Sequence, residues 1–125
     1  MKSESFGVLT PAQIKATASA IQSQQTDSGM ILWFPDGHAD TWNHTEAAMA
    51  LSSSGLVTAA EKAYEWLAKT QREDGSWHHY YIANGIEDAK VDTNCCAYVA
   101  TGVLHHFLNT GDSAFLEEMW PVVRK

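Results

Sequence analysis

The sequence predicts an all-α fold built from helical hairpins, in the form of a partial α/α toroid. Helix-start signals recur along the chain, uncharged helices alternate with amphipathic ones, and one loop motif repeats. The 125 residues hold about two and a half hairpins, whereas a complete barrel of the (α/α)5 to (α/α)7 type needs about five to seven. Residues 1–125 are therefore interpreted as a single, truncated N-terminal segment of a toroid domain.

Five helices are predicted in chain order, each from a capping signal. Three capping boxes, in which a small polar residue precedes Glu or Gln by three positions, open the first three helices at Thr10, Asn43 and Thr58. The fourth helix opens at Asp92 or Thr93, and the fifth at Asp112 or Ser113. Pro121 is expected to kink or end the fifth helix. The predicted ranges are residues 11–24, 46–54, 58–70, 93–109 and 113 onward.

The predicted helices alternate in character. The first and third are amphipathic, while the second and fourth carry little charge on any face. A helix without a charged face is usually buried on all sides, so the second and fourth are expected to form an inner layer. No strand is predicted, because the apolar run at residues 30–34 lies inside a loop rich in Gly, Pro and Asp.

Composition and charge exclude several functions. The formal net charge is -7, and the 8 Lys and Arg residues are scattered, which argues against a nucleic-acid partner. No apolar run reaches the roughly 18 residues that span a bilayer, and residues 1–7 lack the apolar segment of a secretory signal. Cys95 and Cys96 are neighbours, and a disulfide between them would be strained. A cytoplasmic protein with reduced thiols is predicted.

The segment at residues 62–77 resembles the QW repeat of the terpenoid cyclase and protein prenyltransferase superfamily. Gln71, Gly75 and Trp77 fill its Gln-x3-Gly-x-Trp positions, and a degenerate copy begins 46 residues earlier at Gln25. The Gln amide can bond backbone groups of a neighbouring helix, and the Trp ring covers apolar surface. These three residues are predicted to be structural.

The resemblance extends along the chain to a bacterial group commonly labelled prenyltransferase-like. It implies a toroid whose full-length parent is an enzyme acting on an isoprenoid in the central cavity, with the fragment alone inactive. It also implies that the remainder of the toroid, or another subunit, covers the open edges. Two catalytic motifs of the superfamily are missing: no Asp-x-Asp-Asp run occurs, and the acidic–cysteine spacing at residues 92–95 differs from the zinc-binding Asp-x-Cys pair.

Two other functions stay open at the sequence level. The run at residues 110–116, followed by Trp120 and Pro121, is similar to helix junctions in (α/α)6 glycoside hydrolases. Such carbohydrate-active enzymes need two opposed carboxylates, about 5–10 Å apart. A non-catalytic binding toroid is the third possibility, and it predicts a cavity lined only by apolar and capping residues.

The candidate site residues lie in the loops before the second and fourth helices and in their first turns. Carboxylates and histidines there suit acid–base work, aromatic rings suit cation–π contacts, and helix N-termini suit pyrophosphate. Capping alone would also explain several of the acidic residues. The candidate catalytic residues are Asp36, His38, Asp40, Glu46, Asp92 and Asn94. The candidate substrate-binding residues are Trp42, His44, His78, Tyr80 and Asp88.

No metal site is predicted, because the possible ligands are not compactly spaced. One set lies in the first loop, and the other is spread along the fourth helix over more than two turns. Zinc and magnesium both stay open as cofactors. The two sets are His38, Asp40 and His44, and Asp92, Cys96 and His105.

Overall fold

The computed structural model describes residues 8–125, and the prediction about a signal at residues 1–7 lies outside them. This part of the chain is mostly helical, which confirms the all-α prediction at the coarse level, and it adds one small antiparallel sheet. The elements are α1 (Pro11–Ser23), α2 (Thr41–Ser53), α3 (Val57–Thr70), β1 (Tyr80–Ile82), β2 (Gly85–Asp88), α4 (Thr93–Thr110) and α5 (Ser113–Arg124). No helix within this range is both long enough and apolar enough to cross a bilayer.

The helices form two layers. In the first layer α2 lies beside α4, and α3 and α5 back them from the other side. Gly102 permits the close approach of α4, because a Cβ atom there would collide with the Thr45 side chain and the Tyr64 hydroxyl. The core between the layers is apolar, and it includes the fully buried residues Ala48, Leu51, Ala60, Ala63, Tyr64 and Leu67.

The start of α2 differs from the prediction. Asp40, not Asn43, is the N-cap, since its Oδ1 accepts the backbone N–H of Asn43 at 2.9 Å. Asn43 lies one turn inside the helix, where its side-chain amide donates to Asp40 Oδ2. The predicted start was therefore too late, because Asp40, three residues earlier, already caps the helix and Asn43 bonds back to it.

The start of α3 also differs from its predicted capping box. The helix begins at Val57, and its N-cap residue Leu56 makes no side-chain cap hydrogen bond. Leu56 instead packs against the hydrophobic core, so burial rather than capping fixes this end of the helix. The predicted starts of the other three helices agree with the structure: Thr10 forms the capping box of α1, Asp92 caps α4, and Asp112 caps α5. Pro121 lies within α5 and does not end it.

The β-hairpin contradicts the prediction that no strand is present. Ile82 pairs with Gly85, which leaves Ala83 and Asn84 as the two-residue loop. An Asn-Gly pair between β-branched and aromatic residues is a strong hairpin signal, and it was overlooked within the polar loop. A bridge between Ala39 and Tyr81 ties the hairpin to the segment before α2.

The prediction that α4 is buried on all sides is wrong for one face. Leu104 and Leu108 are 54% and 73% exposed, and the half-buried Tyr98 lies at the edge of the same face. They point away from the core because Val99, Val103 and His106 occupy the opposite, buried side of the helix. Ala97 and Thr101 share the exposed face at helical spacing, so α4 presents an uncharged stripe outside the described core.

Two equivalent clasps join consecutive outer helices. After α1, the Gln25 side-chain amide donates to Gly29 O and to Ala59 O in α3. After α3, the Gln71 amide donates to Gly75 O and to Val122 O in α5, both at 2.9 Å. Each clasp thus ties a loop to the next outer helix.

A glycine closes each clasp. Gly29 and Gly75 have positive φ angles of 101° and 86°. A Cβ atom at Gly75 would lie 2.7 Å from Lys125 O, and one at Gly29 would collide with Lys62 O. Trp77 is buried beside the second clasp, and its indole N–H donates to Leu67 O.

Candidate functional site

The N-terminal ends of α2 and α4 lie side by side, with an aspartate cap on each. The carboxylates of both caps, Asp40 and Asp92, lie close enough to the Cys95 thiol to interact with it electrostatically. Burial is the main reason that the pKa of Cys95 is raised to about 11, and the two carboxylates add to the shift. Negative charge is therefore concentrated where both helices begin.

Asp40 is almost fully occupied by local hydrogen bonds. It is 2% exposed, and its carboxylate accepts the Asn43 backbone and side chain as well as the indole N–H of Trp33, the last at 2.8 Å. An aspartate held by three donors inside the protein orders the loop before α2. Both carboxylate oxygens are thus engaged within the protein, and the catalytic role of Asp40 stays a prediction.

Trp42, Glu46 and Tyr98 form a surface cluster that we call the aromatic platform. The rings of Trp42 and Tyr98 are stacked, with centroids 4.5 Å apart and planes 5° from parallel. Glu46 Oε1 accepts the indole N–H of Trp42 at 3.0 Å and the hydroxyl of Tyr98 at 3.1 Å. One carboxylate oxygen therefore fixes both rings, which leaves Oε2 for another partner.

A ladder of rings joins the loop before α2 to the β-hairpin. Tyr80 is stacked between His38 and His79, at centroid distances of 4.3 and 4.0 Å. Trp33 meets His38 edge-on at 4.7 Å. His38 Nδ1 lies 2.7 Å from Glu87 Oε2, so the hairpin and the loop before α2 are also joined by a polar contact. The structure thus brings together two predicted site residues, His38 and Tyr80, with three residues outside the predicted set: Trp33, His79 and Glu87.

His44, a predicted substrate-binding residue, is buried in the core. Its side chain is 1% exposed. The Ile31 backbone N–H donates to Nδ1 at 3.0 Å, so the proton of the neutral ring is on Nε2, which donates to Ala63 O at 2.9 Å. Burial lowers the pKa of His44 to about 4, against the opposing effects of Ala63 and Asp40. His44 is a core histidine that joins α2, α3 and the preceding loop.

A second cluster lies at the start of α4. One ligand-capable atom each from His79, Asp92 and Cys95 lies within 4.8 Å of the others. Asp92 Oδ1 accepts a hydrogen bond from the Cys95 backbone N–H at 3.0 Å. This bond is the main reason that the pKa of Asp92 is lowered. Asp88 is close by, with its carboxylate 3.6 Å from His79 Nδ1.

The remaining predicted residues are more peripheral. Asp36 occupies an exposed turn with a φ angle of 59°, and Asn94 is exposed in the first turn of α4. His78 Nδ1 lies 3.0 Å from Ala89 O. Asp88 accepts the Lys90 backbone N–H and is paired with the Lys90 and His79 side chains. The contacts of His78 and Asp88 order the hairpin. Within the described range, the side chains of Asp36 and Asn94 make no hydrogen bond.

One groove lies away from the aromatic platform and meets the ring ladder at Trp33. It has a volume of about 560 Å³ and lies between α1, α2 and the loop at residues 31–35. No titratable side chain lines it, so it offers neither acid–base groups nor metal ligands. We therefore place the candidate site at the aromatic platform and the adjoining ring ladder.

Comparison with known proteins finds two similar sequences. No family model matches the chain. It is 56% identical over 120 residues to an MMP endo-(1,4)-3-O-methyl-alpha-D-mannosidase from Mycolicibacterium hassiacum, an alignment that covers 95% of this chain and 33% of that protein. This chain is similar to glycoside hydrolases. An uncharacterized glycosyl hydrolase from Methanocaldococcus jannaschii is 27% identical over 103 residues, 78% of this chain and 17% of that protein. The chain thus spans a third or less of the length of either relative.

These relatives overturn the resemblance to terpenoid cyclases and protein prenyltransferases. Both are named as glycoside-cleaving proteins, so the prenyltransferase-like function, the transferase class and the isoprenoid substrate were wrong predictions. They favour the alternative that was drawn from the helix junction at residues 110–116. The Gln71, Gly75 and Trp77 motif that suggested the wrong superfamily is engaged in contacts between helices.

Several site residues could not be found from the sequence alone. Tyr98, Glu87, His79 and Cys95 come from three different elements or loops, and only the packing of α4 on α2 and of the hairpin on the loop brings them to the site. The one available signal was compositional. The run of two histidines and two tyrosines at residues 78–81 is unusual for a structural loop.

Proposed function

We propose that the chain is part of a glycoside hydrolase that cleaves α-(1,4)-linked mannose chains carrying 3-O-methyl groups. The observation that carries this proposal is the 56% identity, over nearly the whole chain, to a mannosidase with that named specificity. Because the chain spans a third of that relative, the complete active site is expected to include residues from outside this sequence.

The aromatic platform suits a sugar ring. The faces of sugar rings carry C–H groups, and they stack on aromatic side chains through the same apolar contact that makes aromatic rings effective interface residues. Trp42 is 36% exposed, and its orientation is fixed by the stack on Tyr98 and by Glu46. A ring held in place in this way loses little side-chain entropy on binding.

Glu46 is the carboxylate that we assign to the substrate side. It is exposed beside the platform, in contrast to the buried and saturated Asp40. Glycoside hydrolysis uses a pair of carboxyl groups, one as the general acid and the other as the base or nucleophile. Glu46 supplies one member in our proposal, and the second is contributed by the remainder of the enzyme. Asp36 and Asp92, predicted as catalytic from the sequence, are the alternatives within this chain.

The exposed stripe on α4 suits a methylated sugar. Ala97, Thr101, Leu104 and Leu108 follow one another at helical spacing on an uncharged face that continues from Tyr98. An O-methyl group removes a hydroxyl donor and adds apolar surface. A wall of aliphatic side chains next to an aromatic platform therefore favours 3-O-methylmannose over mannose.

The two-layered arrangement is compatible with one part of a larger α/α ring. Apolar grooves lie at both edges of the helical array, one beside α1 and one of about 480 Å³ between α4 and α5. In a ring these edges would be covered by further hairpins, and the exposed faces of α2 and α4 would line the central cavity. Residues 1–125 are then one segment of a toroid domain, and the substrate binds inside the ring.

The test is hydrolysis by the full-length protein that carries this chain. α-(1,4)-linked 3-O-methylmannose oligosaccharides should be cleaved, and Glu46→Gln should lower kcat by about 100-fold or more, as expected when a carboxyl group that transfers a proton is lost. Trp42→Ala should mainly raise KM, since it removes a stacking surface without touching the bond that breaks.

Glu65→Gln is the matched control. Glu65 is an exposed glutamate on α3, where it pairs with Lys69. This variant should keep wild-type kcat and KM. Absence of cleavage of any α-mannoside, or equal effects of the Glu46 and Glu65 substitutions, would refute the proposal.

A further inference from the structure

The start of α4 and the stem of the hairpin carry three different metal-ligand types in one place. His79, Asp92 and Cys95 each present one donor atom, and the three atoms lie within 4.8 Å of one another. All three residues are half-buried, so the cluster is neither an open surface group nor a sealed core. Nitrogen, oxygen and sulfur donors together are the set that zinc takes in proteins.

Local structure fixes each member of the cluster. Asp92 is the N-cap of α4 and uses Oδ1 for the Cys95 backbone N–H, so the carboxylate retains an oxygen for a ligand. Cys95 follows in the first turn of the helix. His79 precedes β1, and its backbone N–H donates to Lys90 O at 2.7 Å, which holds the histidine at the stem of the hairpin. The three side chains thus converge from two elements that the backbone already positions.

The surroundings support a cation at this point. Asp88 lies 3.6 Å from Nδ1 of His79, a carboxylate beside the histidine of the kind that orients metal-bound imidazoles. The Tyr80 ring stacks on His79 at 4.0 Å and restricts its rotation. Asp40 adds a further negative charge close to Cys95. A divalent cation would offset the charge of the three aspartates.

We propose that His79, Asp92 and Cys95 form a zinc site that fastens the β-hairpin to the N-terminus of α4. Three protein ligands leave one position of a tetrahedral zinc ion for water or for an oxygen of a ligand. The site lies next to the aromatic platform, since the Cys95 thiol meets the Trp42 backbone, but metal binding there can be tested without the glycoside hydrolase proposal. Neither ligand set considered from the sequence contained this combination, because it requires the hairpin to fold over the helix.

Cobalt(II) is the probe, since it replaces zinc and reports thiolate ligation through a sulfur-to-cobalt charge-transfer absorption band. The full-length protein, stripped with a chelator, should bind cobalt with this band and should lose the band when zinc is added. Cys95→Ser should abolish the band. His79→Gln should weaken cobalt binding by at least about 10-fold.

The neighbouring residues provide matched controls. Cys96→Ala removes the adjacent thiol, whose sulfur instead contacts the Trp77 backbone, and His78→Gln removes the adjacent histidine. Both variants should bind cobalt as the wild type does, and circular dichroism should confirm that every variant is folded.

The proposal is overturned if no charge-transfer band forms or if the band survives Cys95→Ser. None of these readouts requires sugar cleavage, so failure here is distinct from failure of the proposed hydrolase activity.

Discussion

His44 shows how a residue that resembles a catalytic group can be a core residue. Both ring nitrogens are used by backbone groups, one from the loop before α2 and one from α3. A charged imidazolium at this position would lose the hydrogen bond from Ile31 and would lack solvation. The neutral ring is therefore part of the fold, and its protonation opposes folding.

We expect His44 to titrate near pH 4 in the folded protein, well below the ordinary histidine value of 6.5. In the unfolded chain His44 binds its proton near pH 6.5, so between about pH 6.5 and 4 the unfolded state holds more protons. Stability from this residue is therefore complete above pH 6.5 and is lost as the pH falls to 4, by about 3 kcal/mol in all.

Nuclear magnetic resonance of ring-labelled histidine measures this titration directly. The His44 signal is assigned by its disappearance in His44→Gln, and it should keep its neutral shift down to about pH 5. A midpoint above pH 6 would contradict the assignment of His44 to the core.

Some candidate site residues can be located from local sequence patterns, and others cannot. Asp40, Trp42, Glu46 and Asp92 lie next to a helix start, and local pattern placed all four near the site. The sequence could not separate the saturated Asp40 from the exposed Glu46, because the difference lies in donors such as the Trp33 indole that arrive through folding. Tyr98 reaches Glu46 from 52 positions along the chain, which no local pattern encodes.

At the scale of elements, the glutamine–glycine clasp explains the wrong superfamily. Stacked helical hairpins need a loop that turns tightly and bonds to the next outer helix. A glutamine, a glycine at positive φ and a buried aromatic ring meet that need. The motif therefore reports how hairpins pack, and proteins with different chemistry can share it. In the ring that we propose, the motif residues lie away from the face that lines the cavity, so they carry no information about the reaction.

Gln71→Ala should destabilise the protein by about 1–3 kcal/mol. The substitution removes two hydrogen bonds of a half-buried amide and leaves Gly75 O and Val122 O without their donor. Urea unfolding of the full-length protein measures the change, and Gln22→Ala, at an exposed position of α1, should stay within about 0.5 kcal/mol of wild type. Equal stability of the two variants would mean that the clasp does not hold the helices together.

The uncharged stripe of α4 makes a prediction about specificity. The double variant Leu104→Ser and Leu108→Ser should lower kcat/KM for 3-O-methylmannose chains by about 10-fold or more, because each lost methyl contact is worth about 1 kcal/mol. Unmethylated α-(1,4)-mannose chains should be cleaved as by wild type. Leu9→Ser is the control, since Leu9 is comparably exposed but precedes α1. A parallel loss with both substrates would show that the stripe only supports the fold.

At the scale of the whole molecule, the helices show a clear sequence pattern, whereas the hairpin is marked only by its short Asn84-Gly85 turn signal. The third predicted helix matches α3 closely, because charged and apolar residues alternate there with a clear helical period. The hairpin is short, mostly exposed and joined to the rest through Ala39 and Tyr81, so it lacks the long alternation that marks a strand. Its docking depends on tertiary contacts, and the same contacts assemble the ring ladder and the cluster of His79, Asp92 and Cys95.

The toroid proposal predicts that residues 1–125, expressed alone, do not behave as a compact monomer. Apolar grooves lie at both edges of the array, and Trp33 and Phe34 expose large apolar side chains along one of them. Contiguous apolar surface of this kind drives association or binds hydrophobic dyes unless further hairpins cover it. Analytical ultracentrifugation should therefore show concentration-dependent association of the isolated segment. The full-length protein should sediment as a defined species and bind much less dye per molecule. A monomeric segment that unfolds cooperatively and binds no dye would mean that these edges need no cover, and the ring arrangement would then lose its physical basis.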